Sequence, residues 1–209
     1  MDIGNTCNTK NVHDYQKNNP SAFCITGQRR MHVHDLNTDD FPIEQVSWDK
    51  AEMYCRRITQ MCRGLHYSFS LPTEAQWEYA CRAGTNTPFY CGSTLTEKAN
   101  CDTRIPYLQE KKTRNCPRRP TAVRTYSPNQ WGIYDMHGNV YEWCADWYGE
   151  YSSQAVVNPT GPTNGAYKIY RGGSWYMGAV CARSAKRGYT VLKEKNLDLG
   201  FRVVLNEDF

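Results

Sequence analysis

The chain has 209 residues, with 25 Lys and Arg against 21 Asp and Glu, so its formal net charge is +4. This small charge argues against a disordered chain, and no apolar run approaches the roughly 18 residues that a membrane span needs, so no membrane span is expected. Because 15 Tyr and 6 Trp supply the apolar area that aliphatic residues supply elsewhere, the composition predicts a folded, loop-rich domain with an aromatic core and excludes a coiled coil.

The cysteine spacing and the N-terminal sequence give expectations for zinc binding and for the cellular compartment of the protein. None of the 10 Cys belongs to a Cys-x-x-Cys pair, so a structural zinc site is not expected. An even number suits an oxidising compartment without proving one. Polar sequence follows Met1 directly, so the protein is expected in the cytoplasm, or outside it or at the cell surface if an export segment is missing from this chain.

Two helices are predicted after residues 1–40, a polar stretch that is expected to form loops and at most one short strand. Ser47 is a potential N-cap of the first helix, and Thr73 and Gln76 have the spacing of a capping box for the second. Gly84 is expected to end the second helix. The apolar positions at helical spacing are Ala51, Tyr54, Cys55, Ile58, Met61 and Cys62 in the first helix, and Trp77, Ala80 and Cys81 in the second.

Loops and short strands are predicted for the remainder. From about residue 85 to 168 there is little periodicity and there are many turn residues, so loops held by metal, disulfides or interlocking aromatic side chains are expected. Strand-like sequence returns in residues 167–171, 180–185 and 200–205. Helices followed by loops and then by short strands are typical of an α+β fold with an antiparallel sheet.

Five motifs occur in the same order as in a known family. They are Val46-Ser-Trp-Asp-Lys-Ala-Glu, Leu71-Pro-Thr-Glu-Ala-Gln-Trp-Glu-Tyr-Ala, Asn129-Gln-Trp-Gly-Ile-Tyr-Asp-Met-His-Gly-Asn-Val-Tyr-Glu-Trp, Arg171-Gly-Gly-Ser-Trp and Gly200-Phe-Arg-Val-Val. From about Asn18 to Leu205 the chain resembles the domain of the formylglycine-generating (sulfatase-modifying) enzymes. The resemblance implies a C-type lectin-like fold in a single domain, residues 1–209, with two helices, a small twisted antiparallel sheet and long ordered loops. It also implies that the first strand is truncated or divergent.

The resemblance leaves the activity open, because similar domains also serve as binding scaffolds in the variable proteins of diversity-generating retroelements. Enzymes that make formylglycine use two cysteines, a few residues apart and just after the Gly-Gly-Ser motif, to bind copper(I). Met177 stands where the first of these is expected. Because the thioether of Met177 does not ionise, it does not replace the thiolate of a catalytic cysteine. No catalytic residue is therefore assigned, and no copper is expected. By the same resemblance, Cys81 and Cys181 correspond to cysteines that form a structural disulfide.

A structural calcium ion is the cofactor that the resemblance implies. The sequence Asp135-Met-His-Gly-Asn-Val-Tyr-Glu resembles the calcium loop of the family. There, Asp135 and Glu142 would supply side-chain oxygens, and Gly138 and Val140 would supply main-chain carbonyls. Without the family match, a turn with solvated acidic residues explains the same sequence.

The segment of about residues 170–200 is expected to bind a ligand, because it carries large side chains without periodicity where similar proteins are dense in polar turn residues. In the variable proteins that the chain resembles, this segment is the diversified one. For Val180, a place in the core is an equal alternative. The predicted contact residues are Trp175, Tyr176, Met177, Gly178, Val180, Lys186, Gly188, Tyr189, Thr190, Val191, Lys193, Lys195, Asn196 and Asp198.

Two functions are compatible with these residues. The first is a non-catalytic protein that displays a diversified surface to a protein or another surface ligand, whose identity the sequence does not give. The alternative is a divergent oxidoreductase of the formylglycine-generating type that acts on a protein cysteine. A nucleic-acid partner is not expected, because the basic stretch of residues 111–119 lacks interleaved aromatic residues and is typical of a solvated loop.

Overall fold

Two α-helices and six short strands lie in the part of the chain that the structure describes. The computed structural model describes residues 20–24, 26–62, 64 and 66–207, and the predicted truncated or divergent first strand falls outside them. No helix within these ranges is long and apolar enough to cross a bilayer. The elements are α1 (Trp48–Met61), β1 (Tyr67–Ser70), α2 (Glu74–Arg82), β2 (Tyr141–Trp147), β3 (Lys168–Arg171), β4 (Gly188–Thr190), β5 (Leu199–Phe201) and β6 (Val204–Glu207), with short 3-10 helices at Arg30–His32 and Ala179–Ala182.

The strands form two small sheets. The larger sheet has the order β4-β3-β2-β5, and β1 pairs with β6 in the smaller one. All pairs are antiparallel except β2 with β5, where Tyr141 to Trp143 lie parallel to Leu199 to Phe201. The long connection between these two strands allows the chain to return in the same direction, which a short hairpin does not. The α+β fold with two helices, small sheets and long loops is therefore confirmed, although one pair of strands is parallel.

The first predicted helix is present as α1. Ser47 is its N-cap residue with extended φ and ψ, but the Ser47 hydroxyl makes no capping hydrogen bond. Ala51 and Cys55 are buried, whereas Tyr54 and Met61 are exposed. The core therefore covers only part of the apolar stripe that the sequence predicts.

The second predicted helix, α2, has a complete capping box. The Thr73 hydroxyl accepts from the Gln76 backbone N–H at 3.1 Å, and the Gln76 side chain accepts from the Thr73 backbone N–H at 2.8 Å. Two backbone donors at the helix start are thus satisfied. The helix ends at Arg82 because Ala83 has a left-handed φ of 45°, so the turn begins one residue before the predicted Gly84.

Replacing Thr73 by Ala is expected to lower the free energy of unfolding by about 1 kcal/mol, because one helix N–H loses its acceptor. Ser47→Ala is a matched control at the other N-cap position, where no capping hydrogen bond is lost, and it should lower the free energy of unfolding less than Thr73→Ala does. Urea unfolding of both variants gives the comparison. Equal losses would contradict the structural difference between the two caps.

One of the predicted strands is wrong. Residues 180–185 form no strand, because Ala179–Ala182 is a 3-10 helix. The two end alanines of this helix are buried in a cluster with Phe89 and Leu95. Side chains three residues apart lie on one face of a 3-10 helix, so this conformation places both alanines in the core and leaves Val180 exposed.

Tryptophan side chains form much of the aromatic core, as predicted, with one exception. Trp77 and Trp143 are fully buried, and the Trp143 indole donates to the Val46 carbonyl at 2.8 Å. Trp131 is instead 47% exposed and packs at the surface against Tyr79, with 4.9 Å between ring centroids. Trp48, Trp147 and Trp175 are half-buried.

Candidate ligand-binding surface

A buried ion-pair network anchors the C-terminal segment, defined here as residues 171–200. The Arg171 guanidinium is fully buried and contacts Glu74 and Glu78 of α2. It also donates to the Ser184 carbonyl at 2.7 Å, and Arg187 donates to Glu74 at 2.7 and 2.9 Å. Helix α2 therefore fixes the segment at residues 171, 184 and 187, and the residues between these points are presented from a rigid base.

The first exposed group of the segment consists of Tyr176, Met177 and Val180. The Tyr176 side chain is 61% exposed, and the other two are also exposed. Trp175 supports the group, because its ring packs against Phe23 and against Tyr176 with centroid distances of 5.4 Å in both pairs. Large side chains on a fixed aromatic base are well suited to contact another molecule, because little conformational entropy is lost on binding.

The second exposed group consists of Tyr189 and Val191. Tyr189 belongs to β4, an edge strand of the larger sheet. Its ring centroid lies 4.0 Å from that of Tyr148 and 5.5 Å from that of Tyr167. The three tyrosines form an aromatic patch at the sheet edge, and the exposed Val191 follows directly after the strand.

Tyr141 and Tyr170 pack against each other and contact two different parts of the C-terminal segment. Their ring centroids are 4.7 Å apart. The Cys181 thiol lies beside Tyr141, and a Cβ on Gly188 would lie 2.1 Å from the Tyr170 ring. Gly188 therefore permits close packing on Tyr170, and its predicted role as a ligand contact has a structural explanation instead.

Two other predicted contact residues are engaged within the protein. Gly178 is buried, and a Cβ there would lie 2.6 Å from the Ile105 side chain. Asp198 accepts a hydrogen bond from the Ser174 hydroxyl at 2.6 Å, and burial raises the pKa of this carboxyl. Of the remaining predicted residues, Lys186, Lys193, Lys195 and Asn196 are exposed, and Thr190 is half-buried.

Two exposed apolar residues that the sequence did not single out lie in the neighbouring loop, Ile105 beside the first exposed group and Leu108 three residues further along the chain. Ile105 contacts Gly178 and accepts from the Ala179 backbone N–H at 3.1 Å. Ile105 and Leu108 are 54% and 79% exposed. The available signal was the apolar cluster of residues 105–108 within an otherwise polar, basic stretch, but this stretch has no periodicity that would assign it to the surface.

The disulfide implied between Cys81 and Cys181 is not present, and both residues are free thiols. The buried Cys81 thiol contacts the Ser184 hydroxyl at 3.6 Å and the Met136 carbonyl at 3.7 Å. Cys181 lies three residues earlier in the segment and contacts Tyr141. Ser184 thus occupies the place beside Cys81 that the resemblance gave to Cys181, and burial raises the pKa of the Cys81 thiol to about 12.

Glu142, one of the residues proposed to bind calcium, is already paired in the structure. Both carboxylate oxygens of Glu142 accept from Arg202, at 2.5 and 2.7 Å, and one of them also accepts from Trp77 at 2.6 Å. The same guanidinium donates to the carbonyls of Tyr134 and Asp135. Calcium takes six to eight oxygen ligands, and the two Glu142 oxygens are not free to serve as ligands while they accept from Arg202. Gly138 and Val140 are buried in the same turn.

The calcium prediction can be tested by thermal unfolding in excess CaCl2 and in EDTA. We expect the same Tm in both, because the Arg202 guanidinium already supplies the positive charge next to Glu142. A ligand that binds only the folded state raises Tm by mass action. A clear increase in calcium, absent in magnesium, would therefore confirm the sequence prediction and contradict the fit seen here.

His137 is buried beneath the segment and is held in one neutral form. Its Nε2 accepts from the Tyr90 backbone N–H at 2.9 Å, and its Nδ1 lies 2.7 Å from the Ala182 carbonyl. Since a carbonyl only accepts, Nδ1 carries the proton. Burial lowers the pKa of His137 to about 4. The imidazole thus links the loop at Tyr90 to the 3-10 helix that carries Val180.

The chemistry available in the segment is limited. Cys181 is the single cysteine between residues 171 and 200, and the Met177 thioether is partly exposed beside the first exposed group. Within the described ranges, no group of three or more His, Cys, Asp or Glu side chains is placed to hold a metal ion. One thiol and one thioether are therefore the sulfur groups that the segment contains.

Comparison with known proteins identifies related sequences. Residues 7–207 match the sulfatase-modifying factor enzyme 1-like domain. The serine/threonine-protein kinase pkn1 of Chlamydia pneumoniae is 36% identical over 171 residues, which cover 79% of this chain and 24% of the relative. The formylglycine-generating enzyme of Streptomyces coelicolor is 33% identical over 178 residues, which cover 80% of this chain and 53% of the enzyme. The chain thus spans about a quarter to about half of these relatives.

Two solved structures share the fold. Treponema denticola variable protein 1 superposes with a TM-score of 0.71 at 23% identity, covering 91% of this chain and 78% of that one. PvdO from Pseudomonas aeruginosa superposes with a TM-score of 0.65 at 24% identity, covering 80% of this chain and 62% of that one. At such identities the likeness establishes the architecture and leaves the function to the site.

Proposed function

The chain belongs to the sulfatase-modifying factor enzyme 1-like domain family, and we propose that within this family it is a non-catalytic ligand-binding protein. Its binding surface would be the C-terminal segment, about residues 170–200, diversified in sequence and displayed on the C-type lectin-like scaffold. The ligand would be a protein or another surface molecule.

The observation that carries the proposal is the exposure of large apolar side chains along an anchored segment. Tyr176, Met177, Val180, Tyr189 and Val191 are all exposed. An isolated exposed apolar residue needs no explanation, but several in one segment of a folded protein are typical of an interaction site. The buried Arg171 network fixes the ends of the first group, so the exposure is a property of an ordered segment.

The structural likeness to Treponema denticola variable protein 1 supports the proposal at the level of the scaffold. A scaffold that diversifies one segment must keep its fold while that segment changes. Here the side chains that hold the fold, among them Arg171, Ser174 and Ala182, are buried, and they alternate with the exposed ones. Replacement of the exposed residues would thus leave the supporting contacts intact.

The alternative, a divergent oxidoreductase that acts on a protein cysteine, has the sequence relatives in its favour. It requires thiolates that bind copper(I), a soft ion. Met177 supplies a thioether, and Cys181 is a single thiol paired with Tyr141. The segment therefore lacks the second thiolate that this chemistry uses.

An oxidation assay separates the two functions. The protein is incubated with copper(I), oxygen and a cysteine-containing sulfatase peptide, and aldehyde formation is followed by mass spectrometry beside an active formylglycine-generating enzyme. We expect no aldehyde, and Cys181→Ser should behave like the wild type. Aldehyde formation that disappears in Cys181→Ser would contradict the non-catalytic assignment.

A further inference from the structure

A loop outside the C-terminal segment lies directly against its first exposed group. This loop, residues 102–119, is called the basic loop here. The Asp102 backbone N–H donates to the Met177 carbonyl at 2.9 Å, and the Ala179 backbone N–H donates to the Ile105 carbonyl at 3.1 Å. The two backbones are thus hydrogen-bonded side by side, which places the exposed Ile105 next to the first exposed group.

The apolar residues of the basic loop face outward at this junction. Ile105 packs on Gly178 and is half exposed, and Leu108 is 79% exposed. Leu108 also has a left-handed φ of 53°, a conformation that costs a residue with a Cβ roughly 1–2 kcal/mol. A branched apolar side chain in this backbone conformation, exposed to water, contributes little to the fold, which points to a role in contact with another molecule.

The charge that the basic loop exposes is positive. It contains six basic and two acidic residues, a net charge of +4. Asp102 pairs with Arg104, and the Glu110 carboxylate accepts from the backbone N–H groups of Leu95 and Tyr107. The exposed side chains of Lys111, Lys112 and Arg114 make no ion pair or hydrogen bond with the described residues.

Backbone hydrogen bonds bring the basic side chains to the apolar junction. The Thr113 backbone N–H donates to the Thr103 carbonyl, and the Thr103 hydroxyl donates to the Thr113 carbonyl, both at 3.1 Å. Lys112 and Arg114 therefore flank the point where the loop doubles back beside Arg104. The exposed Ile105 side chain at this junction is thus bordered by positive charge.

We propose that the basic loop is the second half of the binding surface and that it selects a protein partner presenting apolar side chains flanked by carboxylates. This inference rests on the proposed function and specifies the partner. Burial of apolar area would supply the affinity for the partner. The lysine and arginine side chains would attract it electrostatically and select partners with acidic residues.

The basic loop itself favours a protein over a nucleic acid. Single-stranded nucleic acid is bound by basic grooves with aromatic side chains on which the bases stack. Residues 102–119 expose aliphatic Ile105 and Leu108 between the charges, and the ring of Tyr107, their aromatic neighbour, packs against Phe89 in the core. Aliphatic side chains next to positive charges complement an acidic, partly apolar peptide.

A fluorescein-labelled peptide that alternates Glu with Leu and Trp serves as the probe, and fluorescence anisotropy gives its Kd. The matched controls are the same peptide with Lys in place of Glu and a labelled single-stranded oligothymidylate. We expect saturable binding of the acidic peptide, weakened by salt, and about tenfold weaker binding of the basic one. Tighter binding of the oligothymidylate, or equal binding of both peptides, would overturn the proposal.

Variants then separate this inference from the proposed function. The loop variant, Lys111→Glu with Lys112→Glu, should bind the acidic peptide about tenfold more weakly than the wild type. The segment variant, Tyr176→Ser with Val180→Ser, should also bind it more weakly. Loss of binding in the segment variant alone would refute the role of the basic loop and retain the proposed function. Loss in neither variant would refute both.

Leu108→Gly tests whether Leu108 acts in binding or in the fold. Glycine adopts a positive φ without the steric cost of a side chain, so this variant should be at least as stable as the wild type in thermal unfolding. It should nevertheless bind the acidic peptide several-fold more weakly. A lower Tm with unchanged peptide binding would show that Leu108 serves the fold.

Discussion

Replacing Glu74 by Gln is expected to lower the free energy of unfolding by about 3 kcal/mol, because the change leaves buried guanidinium charge without its counter-ion. The Glu74 carboxylate accepts from Arg171 at 3.1 Å, from Arg187 at 2.7 and 2.9 Å and from Tyr151 at 3.3 Å. Arg171 is fully buried and keeps only Glu78 as an acidic partner in this variant. Gln has the same shape as Glu, so lost packing does not explain the effect.

Glu52→Gln is the matched control. Glu52 pairs with Arg56 one turn further along α1, and the Arg56 side chain is largely exposed. Because water screens such an exposed ion pair, its contribution to the free energy of unfolding is about 0.5 kcal/mol or less. Urea unfolding of both variants at neutral pH gives the two values. A loss below about 1 kcal/mol for Glu74→Gln would contradict a network that anchors the C-terminal segment.

Stability is expected to fall in mild acid because of His137. Burial lowers the pKa of His137 to about 4 in the folded protein, against 6.5 for the unperturbed side chain. Between these values the unfolded state binds more protons than the folded state, so protons favour unfolding. His137 alone should lower the free energy of unfolding by about 2–3 kcal/mol between pH 7 and pH 4.5. Well above pH 6.5 it should not contribute to the pH dependence of that free energy.

The variant His137→Gln isolates this effect from that of the carboxyl groups. Its amide can donate to the Ala182 carbonyl and accept from the Tyr90 backbone N–H, the two hydrogen bonds that His137 makes, and it does not titrate. The loss of unfolding free energy on acidification should therefore be smaller in the variant by about 2–3 kcal/mol. Parallel stability curves for the two proteins would contradict a neutral, buried His137.

The helices could be predicted because their signals are local. Thr73 and Gln76 specify the start of α2 by hydrogen bonds within one turn, and these bonds are present. Ser47 marks the start of α1 by its backbone conformation, although its hydroxyl makes no cap. Both starts depend on residues a few positions apart, which a sequence shows directly.

The strands were harder to predict because their pairing is non-local. β2 has four of its seven residues buried and the other three half-buried, and it lies between β3 and β5. A strand covered on both faces loses the alternation that marks strands in a sequence, so β2 was not predicted. Residues 180–185 showed the reverse error, because two buried alanines determine a 3-10 helix.

The candidate site was predicted in part. Tyr176 and Tyr189 are exposed as predicted, because the family motifs around them identify the framework and leave these two residues outside it. Ile105 and Leu108 were missed, since only the backbone hydrogen bonds of residues 102 and 105 bring the basic loop to the segment. The thiol of Cys81 contacts Ser184, which lies three residues after the expected partner Cys181. The 3-10 helix Ala179–Ala182, which the sequence did not predict, precedes Ser184.

Sequencing of codons 170–205 in many cells of one population, together with the flanking DNA, is the decisive measurement for a diversified binding surface. We expect amino-acid replacements concentrated at exposed positions such as Tyr176, Val180 and Tyr189, with the buried Arg171 and Ser174 unchanged. A near-copy of this stretch, differing at adenines, should lie beside a reverse transcriptase gene. A single invariant sequence without such a copy would contradict a diversified binding surface.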